Sequence, residues 1–156
     1  MRRQDLEHLL RAACQIVGDP DVLIIGSQAI LAEIPEERLP PEATRSAEAD
    51  LAFLNEDGTK WAKVDGAIGE MSQFDATFGY YAQGVEVSTA ILPAGWRDRL
   101  IRWETPNTAP GRGWLLERHD CVASKLAAGR RRTPSSPPRS WRRDWSRSTY
   151  WSSVSA

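Results

Sequence analysis

The stretch Val22-Leu23-Ile24-Ile25-Gly26-Ser27-Gln28 decides the fold class of this sequence, because it leads from an apolar strand through a glycine into a helix. Residues 22–25 are apolar and mostly β-branched. This pattern predicts a short strand buried on both faces, typical of the centre of an α/β sheet. Residues 28–33 have the composition of a helix, for which Ser27 is a natural N-cap. The order of strand, turn and helix predicts a domain that mixes α and β structure.

The segments on either side of this stretch support the same prediction. Downstream, a loop with three prolines occupies residues 34–45, and residues 47–54 then alternate in polarity. Glu48 and Asp50 share one parity and apolar residues share the other, which predicts a strand with one buried face. Upstream, apolar residues recur on one helical face until Gly18-Asp19-Pro20 ends the helix. They are Leu6, Leu9, Leu10, Ala13, Ile16 and Val17.

Further elements are predicted beyond the alternating strand. Residues 61–68 predict a short helix. The segments 77–82 and 85–92, joined by Gln83-Gly84, predict a hairpin, and residues 100–103 predict one more strand. These strands would add to the sheet that contains residues 22–25.

The last predicted helix covers residues 115–129 and follows a loop over residues 107–113. Its expected core contacts are Leu116, Val122 and Leu126. After Arg130 the periodicity stops, and a Pro-containing stretch cannot continue the helix. The sequence therefore predicts one domain over residues 1–130 and a separate tail over residues 131–156.

The tail differs from the domain in charge and composition. Residues 1–130 hold 14 basic and 20 acidic residues, whereas residues 131–156 hold six Arg, one acid, eight Ser and three Trp. Low hydrophobicity with high net charge predicts disorder. A shifted reading frame of a GC-rich gene is another explanation of this composition. The interleaved Arg and Trp residues are also compatible with binding nucleic acid.

The remaining composition excludes some classes of protein. Two cysteines are too few for a disulfide framework, so a reducing, cytoplasmic location is expected. No apolar run approaches the roughly 18 residues of a membrane helix, so no membrane partner is expected.

Two features carry potential chemistry. The turn Gly26-Ser27 lies between a strand and a helix, where backbone N–H groups and a hydroxyl can bind phosphate, although such turns are common for geometric reasons alone. Glu48 and Asp50 project to the same side of a strand, where two carboxylates repel unless a cation lies between them. Mg²⁺ or Mn²⁺ is the expected cation. A solvated strand face is the alternative explanation of this acidic pair.

Together the two features resemble the signature of the polymerase-beta-like nucleotidyltransferase superfamily. The order of elements over residues 1 to about 130 is similar to that of uncharacterised bacterial nucleotidyltransferase-like proteins related to AbiEii-type toxins. The resemblance implies a mixed β-sheet flanked by helices in a single domain. It also implies that Gly26 and Ser27 bind phosphate, that Glu48 and Asp50 hold metal and act in catalysis, and that Lys125 faces the nucleotide phosphates.

The third carboxylate of that superfamily is harder to place. It comes from a later strand, and Glu86 is the only acid on the predicted strand 85–92. Ser88 occupies the position at which an acid is expected, so either Glu86 is the base or the base is missing. Asp65 and Asp75 are lower-ranked alternatives.

The resemblance predicts an enzyme that transfers a nucleoside monophosphate from a nucleoside triphosphate to a hydroxyl acceptor. The acceptor would be RNA, such as tRNA, or a protein, and the chain would be the toxin partner of a cognate antitoxin. A catalytically inactive binding module with the same fold is the alternative. Nucleic-acid binding through the tail is a third hypothesis, which the acidic body of residues 1–130 disfavours.

Overall fold

The computed structural model of the protein describes residues 1–131, in which helices flank one five-stranded sheet. The long helices are α1 (Arg3–Val17), α4 (Lys60–Ile68) and α6 (Arg118–Arg131), and the short ones are α2 (Ile30–Glu33), α3 (Pro41–Thr44) and α5 (Gln73–Phe78). The strands are β1 (Asp21–Ile24), β2 (Glu48–Ala52), β3 (Tyr81–Gly84), β4 (Ile101–Trp103) and β5 (Arg112–Leu115). The predicted mixture of α and β structure is confirmed. Apart from Arg131, the tail predicted over residues 131–156 lies outside the described residues.

The sheet has the strand order β3-β2-β1-β5-β4 and is mixed, as expected. β1 lies at its centre, antiparallel to β2 and parallel to β5. β3 is the outermost strand on one side and runs parallel to β2, and β4 is the outermost strand on the other side and runs antiparallel to β5. The carboxyl ends of β1 and β5 and the amino end of β2 therefore meet at the same edge of the sheet.

The core lies between α1 and the centre of the sheet. Val22, Leu23 and Ile24 of β1 are fully buried, which confirms that this strand is covered on both faces. α1 contributes the periodic apolar face that the sequence predicts, and Gly18 ends the helix in the left-handed conformation at φ +70°. The parity of β2 is also confirmed, because Ala49 and Leu51 are buried while Glu48 and Asp50 are only half-buried.

The predicted hairpin over residues 77–82 and 85–92 is wrong. Its first half is divided between the end of α5 (residues 77–78) and the start of β3 (residues 81–82), and α5 itself begins where Ser72 Oγ accepts a bond from the Asp75 N–H at 3.1 Å. Gly79 ends this helix at φ +73°. β3 then pairs with β2, and after Gly84 the chain turns into a short 3₁₀ helix, Val87–Thr89, instead of a second strand.

The predictions for the last part of the domain are only partly confirmed. β4 lies where a strand is expected, but β5 occupies residues assigned to a loop and to the start of the last helix. Gly113 explains the error, because a Cβ there would lie 3.1 Å from Leu10 Cδ1 and 3.3 Å from Ile24 Cδ1. Glycine fits this closely packed position because it lacks a side chain, but it has a low strand propensity, so the sequence gives no strand signal there. In α6, Leu126 is 65% exposed instead of contacting the core, whereas Leu116, just before the helix, is buried.

The loop predicted over residues 34–45 contains two single helical turns, Glu36–Arg38 and α3. It packs against the start of α1, where the Glu36 carboxylate accepts a bond from the Arg3 N–H. A cavity of about 450 Å³ lies between this loop and the first turn of α1, and none of the predicted site residues lines it. Within residues 1–131, no helix is long and apolar enough to cross a membrane.

Candidate functional site

The turn after β1 brings the backbone into direct contact with a carboxylate of β2. Gly26 has φ +97° and ψ −165°, a conformation that is essentially restricted to glycine. A Cβ at this position would lie 2.3 Å from Asp50 Oδ2, far inside van der Waals contact. The Ile25 N–H donates to the Asp50 carbonyl at 3.1 Å and fixes the two segments together. Glycine is therefore required at position 26 for two reasons, the backbone dihedral angles and the closeness of the Asp50 side chain.

Ser27 does not act as the predicted N-cap. It is the first residue of a 3₁₀ turn, Ser27–Ala29, that leads into α2, and Gly26 occupies the cap position. The prediction fails because Gly26 turns the chain one residue earlier than a serine cap requires. Ser27 is exposed, so its hydroxyl lies at the surface beside the Gly26 turn.

Asp50 and Glu48 form an acidic pair on the half-buried face of β2. Burial raises the pKa of the Asp50 carboxyl from its usual 3.8 to about 6, with a further contribution from the like charge of Glu48. The positive charge of Lys125 acts in the opposite direction and lowers this pKa. Asp50 thus lies within electrostatic range of both residues, one of like and one of opposite charge.

Helix α6 packs against the Gly26 turn. The Cys121 thiol donates weakly to the Gly26 carbonyl at 3.7 Å and to the Leu116 carbonyl at 3.6 Å. Burial raises the pKa of this thiol to about 12, so it stays protonated. Lys125 follows four residues later, on the same face of the helix. No signal in the sequence marks Cys121, because a single cysteine in a helix has many ordinary explanations.

A cleft of about 300 Å³ opens beside the acidic pair. It is lined by Glu48, Asp65, Glu70, Tyr81 and Gln83. The Tyr81 hydroxyl donates to Glu48 Oε2 at 3.4 Å, and Gln83 is the residue of β3 that lies opposite Asp50. Of the two alternative third carboxylates, Asp65 lines this cleft, whereas Asp75 accepts a bond from the Met71 N–H at 3.1 Å.

Glu86 lies beyond the end of β3, because the strand on which it was predicted is not formed. It is exposed, and its Oε2 accepts a bond from Ser88 Oγ at 3.0 Å. Its role as a base stays a prediction. Among residues 1–131, no three His, Cys, Asp or Glu side chains are grouped so that they could hold one metal ion.

An aromatic cluster packs together on α1, α5 and the segment that leads into β3. His8, Phe74, Phe78 and Tyr80 form one cluster whose ring centroids lie 4.7–6.1 Å apart. His8 Nδ1 lies 2.9 Å from the Tyr80 hydroxyl, which gives this histidine a partner that the sequence did not reveal. The cluster joins α1, α5 and the residue before β3.

The structure therefore brings Gly26, Glu48, Asp50 and Lys125 together, with Ser27 at the adjoining surface, and places Glu86 on a separate exposed turn. Comparison of the chain with protein-family models, with curated proteins and with solved structures found no match.

Proposed function

We propose that this protein is a metal-dependent nucleotidyltransferase that transfers a nucleoside monophosphate from a nucleoside triphosphate to a hydroxyl acceptor. One observation carries the proposal. The glycine turn after β1 touches the carboxylate of Asp50, and the ammonium group of Lys125 acts on that same carboxylate. A phosphate-binding turn, a pair of acids and a lysine are the groups that this reaction needs in one place.

The acidic pair fits a divalent cation. Glu48 and Asp50 offer hard oxygen ligands on one strand face, and the raised pKa of Asp50 indicates that their negative charge is poorly compensated in the protein alone. Glu48 and Asp50 would hold Mg²⁺ or Mn²⁺. When bound, the ion would neutralise phosphate charge and orient the reacting oxygens.

The chain's own residues then bind and position the substrates. The N–H groups of the Gly26 turn, the Ser27 hydroxyl and Lys125 bind the β- and γ-phosphates. The acceptor oxygen forms a bond to the α-phosphorus, the bond from that phosphorus to the bridging oxygen breaks, and pyrophosphate leaves. Most of the rate enhancement in such a site comes from positioning and charge stabilisation.

The proton of the acceptor hydroxyl needs a base, and two carboxylates are candidates. Asp65 lines the cleft next to Glu48, while Glu86 occupies an exposed turn. The acceptor itself is proposed as tRNA or another RNA, or a protein hydroxyl. In that case the chain acts as a cytoplasmic toxin whose partner is an antitoxin.

A catalytically inactive binding module is the second candidate, and one observation favours it. The residue of β3 opposite Asp50 is Gln83, and an amide cannot accept a proton as a carboxylate does. Such a module would bind a nucleoside triphosphate with the metal ion but transfer nothing.

The deciding experiment incubates the full chain with Mg²⁺ or Mn²⁺, each labelled nucleoside triphosphate, and total tRNA or cell extract. Transfer of label supports the enzyme, and we expect Glu48→Ala or Asp50→Ala to reduce it by at least about a hundredfold. Glu104→Gln, which removes an exposed ion pair with Arg102, is the matched control and should keep full transfer.

Circular dichroism and thermal unfolding should show that both site variants fold, since each loses only one of two repelling carboxylates. Metal-dependent binding without transfer would establish the binding module instead. Full transfer by either site variant would contradict the metal assignment.

A further inference from the structure

Helix α6 carries two residues of the candidate site, yet much of its surface faces solvent. Lys125 is exposed, and the neighbouring Leu126 is 65% exposed. A helix with few apolar anchors needs other contacts to fix its rotation and its position along the axis. For α6 one such contact is the ion pair of a buried carboxylate in its first turn.

Asp120, in that first turn, is almost completely buried, with 4% of its surface exposed. Its two oxygens accept bonds from Arg99 Nε and Arg99 Nη2, both at 2.9 Å. Arg99 Nη2 also donates to the Ala94 carbonyl at 3.1 Å, so the guanidinium is tied to its own turn as well. A two-pronged pair of this kind fixes orientation as well as distance, which a single lysine contact cannot do.

We propose that the Arg99–Asp120 pair is a positioning pair, which fixes the first turn of α6 against the Gly26 turn and thereby the position of Lys125 one turn further along the helix. This inference rests on the proposed function, because it assigns the pair a role in nucleotide binding through Lys125. Asp120 adjoins Cys121, whose thiol contacts the Gly26 carbonyl, and Lys125 lies one turn further along the same face. A rotation or shift of the first turn would displace both residues from the Gly26 turn.

The position of α6 can be tested without an assay of enzymatic activity. The rate at which each cysteine thiol is labelled is measured by peptide mass spectrometry. Cys121 reports the contact between α6 and the Gly26 turn, and Cys14, which is 5% exposed, reports opening of the core around α1. We expect Asp120→Asn and Arg99→Lys to speed labelling of Cys121 severalfold while labelling of Cys14 stays unchanged. Glu104→Gln should change neither rate. Equal acceleration of both thiols, or of neither, would overturn the positioning role.

The link to Lys125 is tested by nucleoside triphosphate binding in Mg²⁺, with single and double variants. Loss of one charge-assisted phosphate contact in Lys125→Ala should weaken binding by about tenfold. Asp120→Asn alone should weaken binding severalfold. Added to Lys125→Ala, it should weaken binding further by less than about twofold. Independent effects that multiply in the double variant would overturn the proposal. A wild-type chain that binds no nucleotide would overturn the proposed function, and the labelling rates would still decide whether the pair holds α6.

Discussion

Replacing Gly26 by alanine tests the contact on which the candidate site depends. Two costs add at this position. The backbone angles φ +97° and ψ −165° are strained for any residue with a Cβ, at about 1–3 kcal/mol. The new Cβ would also lie 2.3 Å from Asp50 Oδ2, and forcing an extra group into filled space costs about another 1–3 kcal/mol. We therefore expect Gly26→Ala to lower the free energy of unfolding by about 2–6 kcal/mol.

Gly18→Ala is the matched control for this variant. Gly18 also has a positive φ, +70°, but in the described part of the chain no atom apart from those of Gly18 and its chain neighbours lies within 4 Å of the position that a Cβ would occupy there. Only the left-handed backbone penalty applies to it, at about 1 kcal/mol. Urea unfolding at neutral pH, followed by the combined fluorescence of the seven tryptophans, measures both variants, and two of these residues, Trp103 and Trp114, lie in the sheet.

A second substitution separates the two costs at Gly26. Asp50→Ala removes the atoms that the new Cβ would meet, so the double variant should recover the packing cost of about 1–3 kcal/mol and retain the backbone strain. If Gly26→Ala costs no more than Gly18→Ala, the close approach of the turn to Asp50 is refuted. The same holds if Asp50→Ala restores no stability in the Gly26→Ala background.

Substitutions at Asp50 and Gly84 test the charge and the packing around the same strands. The Asp50 carboxyl has a pKa of about 6 in the folded state and 3.8 in the unfolded state, so the folded state binds its proton more tightly. The stability that this proton contributes is fully present below pH 3.8 and is lost as the pH rises through about 6. Without metal, Asp50→Asn should therefore be more stable than the wild type at pH 7 by about 1–2 kcal/mol, after allowance for solvent screening. Below pH 3.8 the variant should have no such advantage. If urea unfolding showed the same difference at both pH values, this expectation would be contradicted. Gly84→Ala should prevent stable folding or lower the free energy of unfolding by more than about 3 kcal/mol, because the new Cβ would lie 1.9 Å from the Trp61 carbonyl oxygen. A thermal unfolding midpoint close to that of the wild type would show that β3 does not pack so closely on α4.

The sequence predicted the elements whose signals are local. β1 is a continuous apolar run, β2 alternates in polarity, and α1 has one apolar face, so each pattern is complete within its own segment. β3 was misplaced because the preceding residues 73–78 combine aromatic and threonine side chains, which favour strands, with a serine cap that starts a helix. β5 was missed because Arg112 and Gly113 carry no strand signal, and its conformation is imposed by pairing with β1.

The candidate site shows the same division between local and long-range information. Gly26, Glu48 and Asp50 were identifiable as residue types suited to phosphate or metal, and the family resemblance added Lys125. Their meeting depends on topology, because β1 and β5 run parallel while β2 runs antiparallel to β1. The Gly26 turn, the start of β2 and helix α6 therefore reach the same edge of the sheet. No periodicity in the sequence contains that arrangement.

The residues at this edge of the sheet reduce the stability of the fold, and that cost is itself physical support for a function there. A half-buried carboxylate with a raised pKa beside a like charge costs folding free energy, and aliphatic residues on the same face would remove that cost. Gly26 adds the conformational entropy of a glycine held in a rarely populated conformation. Two adjacent features that both oppose folding are expected where a ligand offsets them, and a divalent cation with a bound phosphate would neutralise the carboxylates and use the open backbone of the turn.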